Sequence, residues 1–520
     1  MRALVLLLLA LAPLVARADP PSLGRHLNAA LVADVFATGF AFMEPRTLDT
    51  VPTPTLALWS LGGLTTLDPH LSASMRDGRL MLAMPGRIVA TRAAPDAADA
   101  RGWGMAVADM ARAAWEVSEP VRDAGTQGIV SAMFDALTSR LDPYSRYAPP
   151  AEADAERARR AGIAGIGLRV VETTDGFVLR DLAAAGPAAA AGLREGERLL
   201  AVDGTPTDGL DADGVAALLA GPEGTQVALT LAASHGRTRE VTLERALVPP
   251  RTVAVQWRGD TLVLRVSAFA IDTGAQLADA LAEAIDRPRR PRGVVIDLRG
   301  NRGGLLRQAV AAAETLLAHG VVAMTAGRDP ASQHRFIADG ADRARGLPIV
   351  VMVDAGSASS AEILAAALAD QHRAVVVGSS TQGKGLVQTI APLPDGGELF
   401  ISWSRVFAPL GWPVQGLGVL PQVCTSFGAG GLERQLAGLA HGRQSMADVL
   451  ARHRAARPPL SASEVLELRS ACPAAQANPL DLVAARRLIH DPGAYAAALL
   501  GPPPGRLAAG MDRTKLGVAP

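Results

Sequence analysis

Ser359 and Lys384 stand 25 positions apart in this 520-residue chain and pair a nucleophile with a base. Lys384 is one of only two lysines, the other being Lys515, in a chain that otherwise takes its positive charge from arginine. A guanidinium stays protonated in any protein, whereas a buried amine can lose its proton and then accept one from a hydroxyl. A lysine inside the turn Thr381, Gln382, Gly383, Lys384, Gly385 therefore points to a need for the amine itself, unless it is a chance survivor of an arginine-biased composition. Ser359 comes just after the apolar run 349–353, on a turn of Asp354, Ala355, Gly356, Ser357 and Ala358, and just before a helical pattern. Unpaired amides at a helix start are the donors that stabilise a developing oxyanion. The plainer reading is a capping box, since Glu362 follows three residues later, worth about 1 kcal/mol of stability and no chemistry.

A second glycine turn strengthens the chemical reading. Asp297, Leu298, Arg299, Gly300, Asn301, Arg302, Gly303 and Gly304 follow an apolar run and bring further free amides. Lowering an amine from about 10.4 to about 7.5 takes roughly 4 kcal/mol against its charged form, through desolvation or nearby positive charge. Arg302 and Arg405 are the candidate neighbours.

The elements that must hold these residues form an α/β pattern from 253 onward. Strands are expected at 262–267, 293–298, 349–353 and 374–378, with helices at 276–285, 306–317 and 360–368. Ahead of them, β-type runs at 165–171, 176–182, 198–202 and 226–232 surround a helix at 211–219. Gly165, Ile166, Gly167 and Leu168, followed by Ala190, Gly192, Leu193 and Gly196 and by Val202, Asp203 and Gly204, resemble a PDZ domain. In such a loop, backbone amides bind a peptide's terminal carboxylate while the peptide adds a strand to the sheet edge. Residues 146–160 read as a charged, Pro-bearing linker. Residues 19–150 read as helical with an apparent duplication at an offset of about 75, pairing Ala33 and Asp34 with Ala108 and Asp109, Glu44 and Pro45 with Glu119 and Pro120, and Leu67, Asp68 and Pro69 with Leu141, Asp142 and Pro143. Helices are expected at 31–43 and 129–141, and after Cys424 at 432–439, 446–453 and 480–489, before a frayed Pro/Gly-rich end.

The fold class is thus multidomain α/β: a signal peptide (1–18), a helical N-terminal region (19–150), a PDZ β domain (160–248), an α/β core (249–424) and a helical C-terminal extension (425–520). From about 128 to 423 the chain resembles the carboxy-terminal processing, or tail-specific, peptidases. The resemblance rests on the 297–304 turn, the string 348–388 with Ser359, Glu362 and Lys384, the preceding PDZ-like segment, and Gly418, Val419, Leu420 and Pro421. It implies a serine endopeptidase with an α/β serine-protease core, in which Ser359 is the nucleophile, Lys384 the general base and Gln388 the residue that positions the lysine. The amides of Ser360 and of Gly303 or Gly304 would form the oxyanion hole, and Gly165 to Leu168 would capture unstructured C-terminal tails and gate the site. Two departures stand out. Ser360 and Ala361 reverse the family's usual Ala-Ser order, and Ser379, Ser380 and Gln382 replace an acidic residue, a proline and an aromatic. That polar turn works against desolvation of Lys384 and keeps open an alternative, a catalytically inactive PDZ scaffold that binds protein C-termini.

Composition limits the rest. Lys plus Arg and Asp plus Glu both number 51, so no global field attracts nucleic acid, and 49% hydrophobic residues supply ample core. Arg2, the apolar run 3–15 and the small-residue pattern Ala16, Arg17, Ala18 read as a signal peptide cleaved after Ala18, with export to a periplasm or beyond expected and a retained N-terminal anchor as the alternative. Such a compartment favours a disulfide between the only cysteines, Cys424 and Cys472. No HExxH or GxSxG pattern is present, the nine histidines are scattered, and His372 reads as a surface residue, so no metal or other cofactor is expected. The expected partners are protein or peptide substrates with accessible C-termini, while the duplicated and C-terminal regions are candidates for homo-oligomerisation or adaptor docking.

Overall fold

The computed structural model describes residues 26–183, 186–232 and 237–499; the leader-like residues 1–18, Lys515 and the Pro/Gly-rich end lie outside the described residues. The described residues divide into two compact units, one of residues 26–44, Val51–Pro149 and Pro392–Asp395, the other of the remaining described residues.

In the first unit, helix Ala29–Met43 packs chiefly on Ala100–Val117, and Thr53–Leu67 on Glu119–Thr138. Small residues let the backbones approach: a Cβ on Gly63 would lie 2.3 Å from the Ala132 carbonyl oxygen, and one on Gly104 would lie 2.4 Å from that of Ala33. The repeated Leu-Asp-Pro strings occupy equivalent turns, with Asp68 accepting the His70 N–H at 3.0 Å and Asp142 the Tyr144 N–H at 2.9 Å. The region is not helical throughout. Ser72–Arg76, Arg79–Met84 and Arg87–Ala93 form an antiparallel sheet, and its first turn, Asp77 and Gly78, has both φ values positive, as a two-residue hairpin requires.

The expected linker at 146–160 is also structured, as strand Arg146–Ala148 and helix Pro150–Ala161. Pro150 opens that helix, Glu152 lies in its first turn and Arg159 and Arg160 in its last, which suits the helix dipole. A two-stranded ribbon follows, Ile163–Gly165 paired with Ala246–Val248. Between its strands lies a β domain whose main sheet runs Thr238–Glu244, Gln226–Ala232, Arg198–Val202, Gly176–Arg180, Arg169–Thr173, with helix Ala212–Leu219 packed beside the edge strand Arg169–Thr173. The single run expected at 165–171 is broken at Gly167, where φ is 78°.

The core sheet runs Val253–Arg258, Thr261–Val266, Gly293–Asp297, Ile349–Val353, Ala374–Gly378, Val423–Cys424, all parallel except the first strand. Alternate residues of each strand point to opposite faces. Val294, Ile296, Val351, Val353 and Val376 pack with helices Thr273–Ile285, Leu306–Leu316 and Ser360–Asp370. Val295, Val350, Met352, Val375 and Val377 pack with Gly428–Ala440, Pro479–His490 and Pro492–Leu499. A parallel sheet needs cover on both faces, and the C-terminal helices are the second layer. A further sheet, ordered His334–Ala338, Gly320–Ala326, Glu398–Phe407, Leu386–Pro392, carries the strand that follows Lys384.

Candidate active site

Strand Ile349–Val353 leads into a tight turn and then helix Ser360–Asp370, with Ser359 at the junction. Its backbone has φ 54° and ψ −117°, a region that a residue with a Cβ occupies only under strain, on the order of 1–3 kcal/mol. The sharp strand-to-helix turn has the geometry of a nucleophile elbow, without the GxSxG spelling. Surrounding bonds hold it. Asp354 Oδ1 accepts the N–H groups of Gly300 at 2.8 Å and Gly356 at 2.9 Å, and Ser357 Oγ donates to the Leu298 carbonyl at 2.8 Å.

The 297–304 turn lies directly against Ser359. A Cβ on Gly303, where φ is 95°, would sit 2.8 Å from the Ser359 Cβ. The Gly303 N–H donates to Asn301 Oδ1 at 2.8 Å and is therefore occupied. The N–H groups of Gly304 and Ser360 have no acceptor among the described residues. Ser360 Oγ donates to the Gly304 carbonyl at 2.9 Å, which gives the reversed Ser-Ala order a structural task.

Glu362 joins this wall to the lysine turn. Its Oε2 accepts the N–H of Ser359 at 2.7 Å and that of Lys384 at 2.9 Å, so one oxygen atom anchors both backbones. Its Oε1 accepts the Gly383 N–H at 2.6 Å and the Thr381 hydroxyl. Burial pushes this carboxyl above the ordinary carboxylate range, while the four donors pull it down. Amide N–H groups can only donate, which suits the ionised form. Sequence reasoning assigned Glu362 a cap and missed this second role. A signal was present: helix Ser360–Asp370 has no polar face, and every residue in it is buried. On the far side, Lys384 Nζ donates to Gln388 Oε1 at 3.2 Å.

The turn expected to be wet is dry. Ser379, Ser380 and Thr381 are all buried, and only Gln382 is exposed. Arg302 and Arg405, the expected cationic neighbours, point to solvent. A cation bonded directly to this turn, unforeseen in the sequence, is Arg469, which donates to the Thr381 carbonyl at 2.8 Å and the Leu417 carbonyl at 2.9 Å. Burial lowers its pKa and the Glu362 charge raises it; a guanidinium so placed remains a fixed positive charge. His372, expected at the surface, is half-buried with Nδ1 3.0 Å from the Leu499 carbonyl oxygen.

In the β domain, Gly165 ends the ribbon strand and Ile166, Gly167 and Leu168 lead to the edge strand. The carbonyls of Ile166 and Gly167 accept from Ala188 and Ala183, each at 2.8 Å, whereas the N–H groups of residues 166–168 have no acceptor among the described residues. Far along the chain, Cys424 and Cys472 are joined in a disulfide.

A peptidase family S41 model matches residues 260–425, and a PDZ domain model matches 178–232. The carboxy-terminal-processing protease of Bartonella bacilliformis is 30% identical over 301 residues, 57% of this chain and 69% of that protein. The chain belongs to the carboxy-terminal-processing protease family. The corresponding protease of a Synechocystis species is 32% identical over 315 residues, covering 59% of this chain and 72% of that one. A solved photosystem II D1 C-terminal processing protease is 29% identical, covers 58% of this chain and 86% of its own, and superposes with a TM-score of 0.34. The protein is accordingly a serine-type peptidase of this family with a PDZ domain.

Proposed function

We propose that this peptidase is exported, selects proteins by their C-terminal tails and cleaves them through a Ser359/Lys384 dyad. The observation that carries the reading is the shared anchor: one Glu362 oxygen receives the backbone N–H of both residues. Lys384 enters the cycle as a neutral amine. Ser359 Oγ forms a bond to the scissile carbonyl carbon, its proton passes to Lys384 Nζ, and the carbonyl electron pair moves to oxygen. The amides of Ser360 and Gly304 are the available donors for that oxyanion, since the Gly303 amide is occupied. Collapse breaks the C–N bond, and the ammonium returns its proton to the leaving amine. Water then repeats the sequence on the acyl-enzyme and frees Ser359. Gln388 Oε1 accepts from Nζ and aims it.

Tail selection is supported by the amides of 166–168, which have no acceptor among the described residues and lie beside the edge strand Arg169–Thr173, a suitable seat for a terminal carboxylate. Export rests on residues 2–18, and a mature chain beginning at Asp19 is the expected mass. Ser359→Ala and Lys384→Arg should each lower cleavage of an unfolded reporter by about 10^4-fold or more, and a fluorophosphonate should label Ser359 only in the parent protein. Undiminished cleavage by either variant overturns the dyad; equal cleavage of free and amidated tails overturns carboxylate selection.

A further inference from the structure

Ser379 and Ser380, at the start of the lysine turn, give their hydroxyls to the C-terminal extension. Ser380 Oγ donates to the Cys472 carbonyl at 2.6 Å. Ser379 Oγ donates to the Ala475 carbonyl at 2.8 Å and accepts the Ala475 N–H at 3.1 Å. The same segment reaches the nucleophile turn, where the Ala475 carbonyl also accepts the Ala355 N–H at 2.9 Å and the Ala477 N–H donates to Asp354 Oδ2 at 3.1 Å. It is stapled in place. Cys472 is bonded to Cys424 at the end of strand Val423–Cys424, which pairs with Ala374–Gly378 immediately ahead of Ser379. Arg469, three residues before Cys472, holds the Thr381 carbonyl.

We propose that residues 469–477 form a disulfide-stapled brace that sets the position of Lys384, with Ser379, Ser380 and Arg469 as positioning residues for hydrolysis. A proline in this turn would preset its own φ, whereas two serines leave the backbone free and need outside contacts to hold one geometry. Misplacement of the base by about 1 Å lowers turnover on the order of 10²-fold. The guanidinium of Arg469 further disfavours a second positive charge on the turn, keeping the amine available as a base. The brace presupposes the Ser/Lys reading, and the test separates the two.

Turnover and KM on an unfolded reporter, with the pH profile of kcat/KM, should be compared for the parent, Ser380→Ala, Arg469→Gln and the double variant Cys424→Ala/Cys472→Ala. Glu467→Gln serves as the control, since its carboxylate meets only the exposed Arg452. Ser380→Ala and the double cysteine variant should lose on the order of tenfold to 10²-fold in kcat with KM within about twofold. Arg469→Gln should move the acidic limb of the profile to higher pH, and the control should match the parent. If the disulfide-free protein melts below the assay temperature, Ser380→Ala, with the staple intact, decides. Parent-like kcat and pH profiles in Ser380→Ala and Arg469→Gln, or losses confined to KM, overturn the brace alone. An inactive parent that no fluorophosphonate labels overturns the dyad and the brace with it.

Discussion

The two walls of the site are built in opposite ways. The nucleophile wall is mostly local: strand Ile349–Val353, its turn and helix Ser360–Asp370 are consecutive, the 297–304 turn leaves the neighbouring parallel strand, and the distant 475–477 segment touches only the turn's start, at Asp354 and Ala355. The lysine wall is assembled from afar. Residues 379–385 meet Glu362, the Gln415 side chain, Val419, Arg469 and the 472–475 segment. A hydroxyl nucleophile needs a strained turn and two amides unengaged among the described residues, which one strand-to-helix junction and the 297–304 turn beside it supply. An amine that must stay uncharged needs a dry, selectively charged surrounding, and no local stretch of chain provides that.

Glu362 accepts the backbone N–H groups of both walls, so its loss should have the largest effect. Glu362→Leu leaves a hydroxyl and three amides without their acceptor, each worth about 1–3 kcal/mol. Unfolding in urea should show a loss above about 3 kcal/mol, and kcat should fall at least about 10²-fold. A variant with parental turnover would mean the walls are independent.

Acid should weaken the distant supports of the lysine wall next. His453 is fully buried in the C-terminal extension, its Nε2 3.0 Å from the Gly418 carbonyl oxygen, and burial lowers its pKa to about 3. Because the unfolded chain binds a proton near pH 6.5 and the folded one does not, stability is full above that pH and falls as acid is added, by about 3 kcal/mol between pH 6.5 and pH 4. His453→Gln keeps an amide donor and should flatten that slope in calorimetry; an unchanged slope would assign it to another group.

The smallest effect should come from the local wall. Ser360→Ala removes one hydrogen bond to Gly304, worth about 1 kcal/mol, so kcat should change less than about fivefold. A loss as large as that expected for Ser380→Ala would erase the distinction between the walls.

Features with a short sequence range were readable in advance. The parallel strands appeared as apolar runs, Gly303 and Gly304 as part of a glycine turn, and the doubled Leu-Asp-Pro strings as a sign of two related helical units. Asp77-Gly78 was a readable hairpin signal left unused, and the Pro-Glu start and double-arginine end of Pro150–Ala161 spelled a helix where a linker was expected. Long-range burial was different. Ser379 and Ser380 look hydrophilic in sequence, and their dryness depends on carbonyls more than 90 residues away.

The sequence by itself determined the types, order and spacing of the proposed reacting groups and most of the elements that present them, because residue type and hydrophobic period act over a few residues. Only the tertiary structure decided that Glu362 ties the two turns together, that the distant Arg469 is bonded to the lysine turn, and that the C-terminal helices cover the second face of the sheet. Burial and hydrogen-bond partnership belong to the folded surroundings of a group, and those are assembled from segments that the linear order keeps far apart.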